Sequence, residues 1–221
     1  MATKKKAPAG PAAARVRRSP DAMQRLRLRM LERARAIHRD EGLEALSMRR
    51  MAEEFGLSTM ALYSYFANKN ALLEGLWVEV FETLNAQLLR VDGEGGTALR
   101  RLEAHVRSFM AFWLERPDLY RLIYMSATPA AGHIDIEHQP AYERMRQLTR
   151  QRVHACLDAR LAEAQRDLQV DLVALKMLGY LQLALGLARY DLQARDELHE
   201  HVVQDILKSL QDAKKPGRGR A

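Results

Sequence analysis

An apolar period of three to four residues runs almost without interruption from Asp21 to Asp212. Apolar residues recur at this spacing on one face of an α-helix, whereas a half-buried β-strand alternates at every second residue. We find no convincing alternating segment in this region. The sequence therefore predicts an all-α protein whose helices pack on one another.

The composition permits such a fold and argues against other classes. Apolar residues make up 48% of the 221 positions, which is enough for a buried core. Lys176 and Gln182 interrupt the most apolar stretch, so we expect no membrane span. A single cysteine, Cys156, excludes an internal disulfide framework and fits a reducing cytoplasm.

The net charge of +7 is concentrated at the two ends of the chain. Residues 1–20 carry six basic and no acidic side chains, and residues 212–221 carry four basic and one acidic, so the middle holds −2. Both ends are rich in Pro, Gly and Ala, and we predict disordered basic tails there. They are either solubilising tails or a loose electrostatic contact to nucleic-acid phosphates.

Start and stop signals divide the N-terminal region into short helices. The first helix is predicted to end near Gly42. Ser47 is a good N-cap for a second helix, and Gly56 supplies the left-handed residue for a sharp turn after it. The second helix carries one apolar stripe, formed by Met48, Met51, Ala52 and Phe55.

A third helix of about eight residues is predicted from Ser58, its N-cap, to Phe66. Leu62 and Phe66 lie on one face, which we expect to pack on the second helix. The outward face is then largely polar, with Thr59, Met60, Tyr63 and Ser64. Two short helices around a glycine turn, the second with such a face, indicate a helix-turn-helix.

Basic residues open two of these helices, where the helix dipole favours acidic ones. The second helix begins Ser47-Met48-Arg49-Arg50, and the fourth begins Asn68-Lys69. A phosphate bound at each end would explain both placements. The alternative is that exposed basic side chains tolerate these positions.

The segment from Gly42 to Leu73 contains, in order, a glycine, a helix with a Met-Ala pair, Gly-Leu-Ser, Leu-Tyr-Ser-Tyr-Phe and Lys-Asn-Ala-Leu-Leu. In these motifs and their spacing it resembles the DNA-binding segment of the TetR family, over about residues 23–82. The resemblance implies a three-helix DNA-binding domain at residues 21–67 and a helical ligand-binding and dimerisation domain at residues 68–211. Residues 1–20 and 212–221 are then the basic tails.

The resemblance also implies roles in DNA binding. The helix caps and the basic and tyrosine side chains would contact phosphates, while Arg49 and the start of the third helix would reach base edges. Met60 stands where many members have glycine, and Tyr65 where histidine is commoner, so no operator sequence can be carried over. The predicted residues are Ser47, Arg49, Ser58, Thr59, Met60, Tyr63, Tyr65 and Lys69.

The C-terminal half resembles the family's ligand domain more weakly. Aromatic and methionine side chains at helical spacing form either a ligand pocket or ordinary core, and the stretch from Ser126 to Pro140 is long enough to be a lid. The predicted pocket residues are Phe109, Phe112, Trp113, Met125, Tyr142, Met145, Met177 and Tyr180.

The helix predicted from Leu168 to Leu192 is apolar nearly all round, so we expect it to be buried on two sides. With the last helix it would form a four-helix bundle across a two-fold axis, as the resemblance implies; the alternative is a monomeric core. The predicted dimer-interface residues are Leu175, Gly179, Gln182, Gly186, Val202, Ile206 and Leu210.

These features predict a homodimeric transcriptional regulator that binds double-stranded DNA at a palindromic operator and responds to a small-molecule effector. We expect a repressor that a small apolar or amphipathic molecule releases, although activation is an open alternative. We expect neither enzymatic activity nor a cofactor, since His133 with His138 and His199-Glu200-His201 are only weak metal-site candidates. The second alternative is a helical ligand-binding or scaffold protein without sequence-specific DNA binding.

Overall fold

Helices form nearly all of the regular structure in the computed structural model, which describes residues 19–90, 96–125, 139–186 and 195–214. No strand occurs in those ranges, so the all-α prediction is confirmed. The N-terminal elements are α1 (Pro20–Glu41), a 3-10 turn (Leu43–Ala45), α2 (Met48–Glu54), α3 (Thr59–Leu62) and α4 (Lys69–Arg90). The later elements are α5 (Ala98–Leu114), α6 (Pro117–Tyr124), α7 (Pro140–Ala155), α8 (Glu163–Leu181), a π-helical turn (Gln182–Gly186) and α9 (Arg195–Lys214).

The predicted N-terminal caps and turns are confirmed. Helix α1 ends before Gly42, whose φ of +86° lies in the region that favours glycine. Ser47 caps α2 by accepting a hydrogen bond from the Arg50 amide at 3.2 Å. Gly56 has a φ of +61°, and Ser58 caps α3 by accepting from the Ala61 amide at 3.1 Å.

Two hydrophobic cores organise the described residues. The N-terminal core joins α1, α2 and α3 to the first turns of α4, and it includes Leu122 from α6. The larger C-terminal core joins the rest of α4 to α5, α7, α8 and α9. Helix α4 therefore packs into both cores and connects the two halves of the molecule.

A second contact between the halves lies at α6. Leu122 is 1% exposed within the N-terminal core, and the His38 ring at the end of α1 lies 3.3 Å from the Asp118 carbonyl oxygen. A movement of α6 or α4 relative to the C-terminal core would therefore shift the N-terminal helices.

Three predicted helix boundaries differ from the structure. Helix α3 has four residues rather than about eight, because the chain leaves the helix at Tyr63 and continues as a turn. Helix α8 begins at Glu163 rather than Leu168, and α9 continues to Lys214, beyond the start of the predicted tail at residue 212. Residues 126–138 of the predicted lid and the end of the helix at Leu192 lie outside the described residues, and the last lid residue, Pro140, begins α7.

The segment Glu163–Gly186 is long and apolar enough, by length and composition alone, to cross a membrane. In this fold it packs against α5, α7 and α9. Lys176 extends from it to pair with Asp205 of α9 at 2.7 Å. The segment is thus a packed helix of the C-terminal core with one apolar face left exposed.

Candidate nucleic-acid interface and ligand cavity

Helix α3 is held by packing on one side and is exposed on the other. Leu62 is fully buried and Phe66, just beyond the helix, is 1% exposed, and both belong to the N-terminal core. Thr59, Met60 and Tyr63 face outward, with Met60 78% and Tyr63 44% exposed. A helix of four residues has no stability of its own, so this core fixes the orientation of the outward side chains.

Arg49 extends the same kind of exposed surface at the first turn of α2. Its side chain is 85% exposed, and its only ion pair among the described residues is a loose contact of 3.6 Å with Glu53, one turn along the helix. Such an exposed pair contributes little energy, so Arg49 can move to another anion or to a base edge at small cost.

Arg50, at the next position, is differently placed. Its Nη1 donates to Glu41 at 2.7 Å, and its Nε lies 3.7 Å from Glu54, which also accepts from Arg33 at 2.7 Å. The Arg50 side chain therefore binds carboxylates of its own domain. A phosphate is not needed to explain Arg50, and the phosphate interpretation is left with Arg49 and Lys69.

Lys69 and Tyr65 are half-buried at the edge of this surface. The Lys69 ammonium donates to the Leu43 carbonyl oxygen at 3.1 Å, and this bond holds the ammonium beside the 3-10 turn after α1. An ammonium group has three N–H donors, so two remain for another acceptor such as a phosphate. Tyr65 packs on the rim of the N-terminal core. Asn68 caps α4 by accepting from the Ala71 amide at 2.8 Å.

A cavity of about 150 Å³ lies in the C-terminal half between α5, α6, α7 and α8. Four of the eight predicted pocket residues line it: Phe109, Tyr142, Met145 and Met177. The other side chains around it are Tyr124, Glu143, Arg146, Gln147, Thr149, Arg150, Val170, Asp171, Ala174 and Leu178.

The other four predicted pocket residues lie elsewhere. Trp113 is fully buried and makes edge-to-face contacts with Phe81, Phe112 and Tyr120, so it and Phe112 are core. Met125 packs against Gly186: a Cβ atom added to Gly186 would lie 3.0 Å from the Met125 sulfur. Tyr180 is 4% exposed and packs beside His199, with ring centroids 5.6 Å apart.

Behind the cavity lies a buried polar network that joins α7 to α4 and α5. Arg152 Nη2 donates to the Leu88 carbonyl oxygen at 2.8 Å, and Nη1 donates to His105 Nδ1. His105 Nε2, which must then carry the proton, donates to Thr149 Oγ1 at 3.0 Å. Thr149 in turn donates to the Met145 carbonyl oxygen at 3.0 Å, so both cavity-lining residues are tied to the end of α4.

This network determines the protonation state of His105. Burial, and then the neighbouring Arg152 charge, lower the pKa of His105 to about 3. The ring is therefore neutral at physiological pH, as its acceptance of a hydrogen bond from Arg152 requires. The network belongs to the fold and offers no group for proton transfer.

The predicted dimer residues separate into two groups. Leu175 is 67% exposed, and a Cβ atom at Gly179 would meet nothing within 4 Å. The other five face the chain's own interior: Ile206 and Leu210 are in the core, Gly186 packs on Met125, Gln182 accepts from the Tyr120 hydroxyl, and Val202 is partly buried. Ile206 and Leu210 are therefore core, because α9 packs on α5 and α8, whereas the partly buried Gln182, Gly186 and Val202 stay predictions.

Two exposed leucines that the sequence analysis did not select complete the free face of α8. Leu168 is 55% and Leu172 37% exposed. With Leu175 and Gly179 they follow the spacing i, i+4, i+7 and i+11, which forms one stripe along a helix. That spacing was visible in the sequence, but only the packing of α8 on α7 and α9 distinguishes this face from the buried one.

The weak metal candidates remain without support. Glu200 pairs with Arg107 at 2.7 Å, and hydrogen bonds from Arg107 and then Gln204 lower the Glu200 pKa to about 2. In the described ranges no group of three or more His, Cys, Asp or Glu side chains could hold a metal ion. His133 and His138 lie outside those ranges.

Comparisons with known proteins agree with this geometry. The family model described as bacterial regulatory proteins, tetR family, matches residues 30–76, which include α2, α3 and the start of α4. The nucleoid occlusion factor SlmA of Vibrio cholerae is 26% identical over 160 residues, which cover 69% of this chain and 78% of that protein. The HTH-type transcriptional repressor KstR of Mycolicibacterium smegmatis is 31% identical over 119 residues, 52% of this chain and 58% of that protein.

Solved structures share nearly the whole fold. A protein with unknown function from Rhodococcus sp. RHA1 is 25% identical with a TM-score of 0.66, over 90% of this chain and 98% of that one. Thermus thermophilus FadR, a TetR family transcriptional repressor in complex with lauroyl-CoA, is 17% identical with a TM-score of 0.54, over 88% and 98% of the two chains. Residues 30–76 therefore form a DNA-binding domain of the tetR family type, and the chain as a whole has the fold of solved TetR-family regulators.

Proposed function

We propose that this protein is a ligand-responsive transcriptional regulator that binds a palindromic operator as a homodimer and acts as a repressor, without enzymatic activity, in the cytoplasm. The observation that carries the DNA-binding part is the exposed side of α3. A four-residue helix held by a core presents Thr59, Met60 and Tyr63 to solvent, with Arg49 exposed on α2. Large side chains exposed on a fixed helix are typical of a binding surface.

The dimer is supported by the stripe on α8. Leu168, Leu172 and Leu175 are exposed in a single chain, and Gly179 continues their line with open space above it. An apolar face of this length favours burial, and a second copy of the same helix across a two-fold axis provides a self-complementary partner. A two-fold dimer would also carry two copies of α3, which suits a palindromic operator.

The response to a ligand would pass through α7 and α4. Helix α7 contributes Tyr142, Met145 and Thr149 to the cavity and is fastened to α4 at two places. Asn85 donates to the Ala141 carbonyl oxygen at 2.8 Å, and Arg152 donates to the Leu88 carbonyl oxygen at 2.8 Å. A ligand that shifts α7 would therefore shift α4, whose first turn carries Lys69 at the edge of the DNA-binding domain. A ligand would lower operator affinity if it favoured a dimer geometry in which the distance between the two DNA-binding domains no longer matches the distance between the operator half-sites.

Substitutions on the candidate DNA surface are expected to separate phosphate contacts from base contacts. Tyr63→Phe and Lys69→Ala should weaken binding several-fold on every operator variant, since phosphates carry no sequence information. Thr59→Ala and Arg49→Ala should change the preference among single-base variants by about fivefold to a hundredfold. Fluorescence anisotropy at fixed salt measures both effects.

Lys208→Ala, which removes an exposed lysine on α9, is the matched control and should bind like the wild-type protein. If all four variants on the candidate DNA surface keep the wild-type affinity and the wild-type preference among operator sequences, these roles are ruled out.

A further inference from the structure

The cavity is small and has an aromatic and apolar lining. It measures about 150 Å³, and its walls include Phe109, Tyr124, Tyr142, Met145 and Met177. An apolar cavity of roughly this volume, about 150 Å³, holds one benzene ring. The space inside the described walls therefore suits a single ring rather than a long chain or a fused ring system.

Among the residues that the structure describes, one cationic group at the rim of this cavity has no partner. Arg146 and Arg150 lie one turn apart on α7, a spacing at which like charges repel. Arg150 is neutralised by Asp167, whose Oδ1 lies 2.8 Å from its Nε. Arg146 is exposed and forms no ion pair or hydrogen bond with any residue that the structure describes.

Two anionic groups at the same rim, Glu143 and Asp171, have no ion pair with any residue that the structure describes. Glu143 accepts a hydrogen bond from Gln147 at 3.0 Å, and Asp167 is held by Arg150 and, at 2.9 Å, by His154. Asp171 lies one turn after Asp167 on α8, is exposed, and has no ion pair within the described ranges. Within the described ranges the rim therefore offers the Arg146 guanidinium and the Glu143 carboxylate about one turn apart on α7, and the Asp171 carboxylate on α8.

We propose that the effector is an amphoteric molecule with one aromatic ring, of the class of the aromatic amino acids: the ring enters the cavity, its carboxylate binds Arg146 and its ammonium binds Asp171. This inference rests on the proposed function, since it names the ligand class of the same cavity. Arg146 and Asp171 have opposite charges and lie on different helices, so a ligand that contacts both would bridge α7 to α8, which a ligand bound to Arg146 and Glu143 would not do. Such a bridge acts on α7, the helix that is fastened to α4.

The test compares three probes that share a ring and differ only in charge. Phenylalanine carries both charged groups, 3-phenylpropionate lacks the ammonium, and 2-phenylethylamine lacks the carboxylate. Isothermal titration of the full chain should give phenylalanine the highest affinity, by about tenfold over each of the other two. Trp113, whose ring centroid lies 5.4 Å from that of Tyr124 on the cavity wall, should report binding by its fluorescence.

Variants assign the two charges. Arg146→Gln and Asp171→Asn keep the size of each side chain, and each should lower phenylalanine affinity by about fivefold to twentyfold. Arg146→Gln should leave binding of 2-phenylethylamine unchanged, and Asp171→Asn should leave binding of 3-phenylpropionate unchanged. Met177→Trp, which fills the cavity, should abolish binding of all three probes while the circular dichroism spectrum stays that of a folded helical protein.

Equal affinity for phenylalanine and either half-molecule, full affinity in both charge variants, or no binding of any probe would overturn the inference. Operator binding by the ligand-free protein is measured in parallel. If it persists while the probes fail, only the ligand class is wrong. If the protein selects no DNA, the proposed function fails whatever the titrations give.

Discussion

His105→Leu is expected to lower the free energy of unfolding by about 3 kcal/mol at neutral pH. The substitution removes the acceptor of a hydrogen bond from the guanidinium of Arg152, a residue that is only 6% exposed. It also leaves the Thr149 hydroxyl, 5% exposed, without its donor. A buried charged group that loses a partner is costly because neither protein nor water replaces the contact. Urea unfolding monitored by circular dichroism measures the loss.

The double variant His105→Leu with Arg152→Met tests whether the cost comes from the unpaired charge. Replacing both partners by apolar groups leaves fewer buried polar groups without a hydrogen-bond partner. The double variant should therefore be more stable than His105→Leu alone. A His105→Leu protein as stable as the wild type would contradict the role of this network.

The acid side of the stability curve provides a second readout of the same variant. An unfolded histidine titrates near 6.5, whereas burial and Arg152 lower the pKa of His105 to about 3 in the fold. Between these values the unfolded chain binds a proton that the folded chain does not, so stability falls as the pH falls, by up to about 1.4 kcal/mol per unit. His105→Leu should show a flatter curve in this window.

Leu175→Glu is expected to convert the proposed dimer into monomers and to lower affinity for the proposed operator by at least about 100-fold. Leu175 is 67% exposed in the single chain, so a charge there costs nothing in the monomer. In the proposed dimer this charge would be buried on an apolar face without a partner. Sedimentation velocity measures the assembly, and anisotropy measures operator binding.

Leu89→Glu is the matched control. Leu89 is 56% exposed on α4, away from the stripe on α8, and the same substitution there should leave the dimer intact. Monomers from both variants would indicate general destabilisation, and a dimeric Leu175→Glu protein would show that the stripe is not the interface.

The helices of the DNA-binding domain were largely predictable because the residues that begin and end them act locally. Ser47, Ser58 and Asn68 cap helices through their own side chains, and Gly42 and Gly56 adopt backbone conformations that favour glycine. The short length of α3 was not predictable, because nothing in its composition ends the helix at Leu62. In the fold the chain turns after Leu62 and buries Phe66 in the N-terminal core.

The cavity and the interface depend on which helices meet, and a single sequence does not contain that information. Phe109 and Trp113 lie one turn apart on α5, yet the first lines the cavity and the second is enclosed by α4 and α6. Ile206 and Leu210 satisfy the periodicity of an interface and of a core equally well, and in the fold they are core.

The buried polar network did leave a signal in the sequence. Thr149 and Arg152 continue the apolar stripe of α7 that starts with Ala141 and Met145, and His105 lies on the buried face of α5. A polar residue in register with an apolar stripe indicates a buried hydrogen-bonding partner. That register predicts burial, although it does not identify the partners.

Selection of the purified full chain against random duplex DNA at near-physiological salt tests the central claim most directly. We predict enrichment of a palindrome whose half-sites lie about one helical turn apart, or slightly more, because two α3 helices of a two-fold dimer would enter successive major grooves. Recovery of no motif, with binding that only weakens as salt increases, would contradict the claim. It would assign DNA contact to the basic ends of the chain and favour a ligand-binding or scaffold protein.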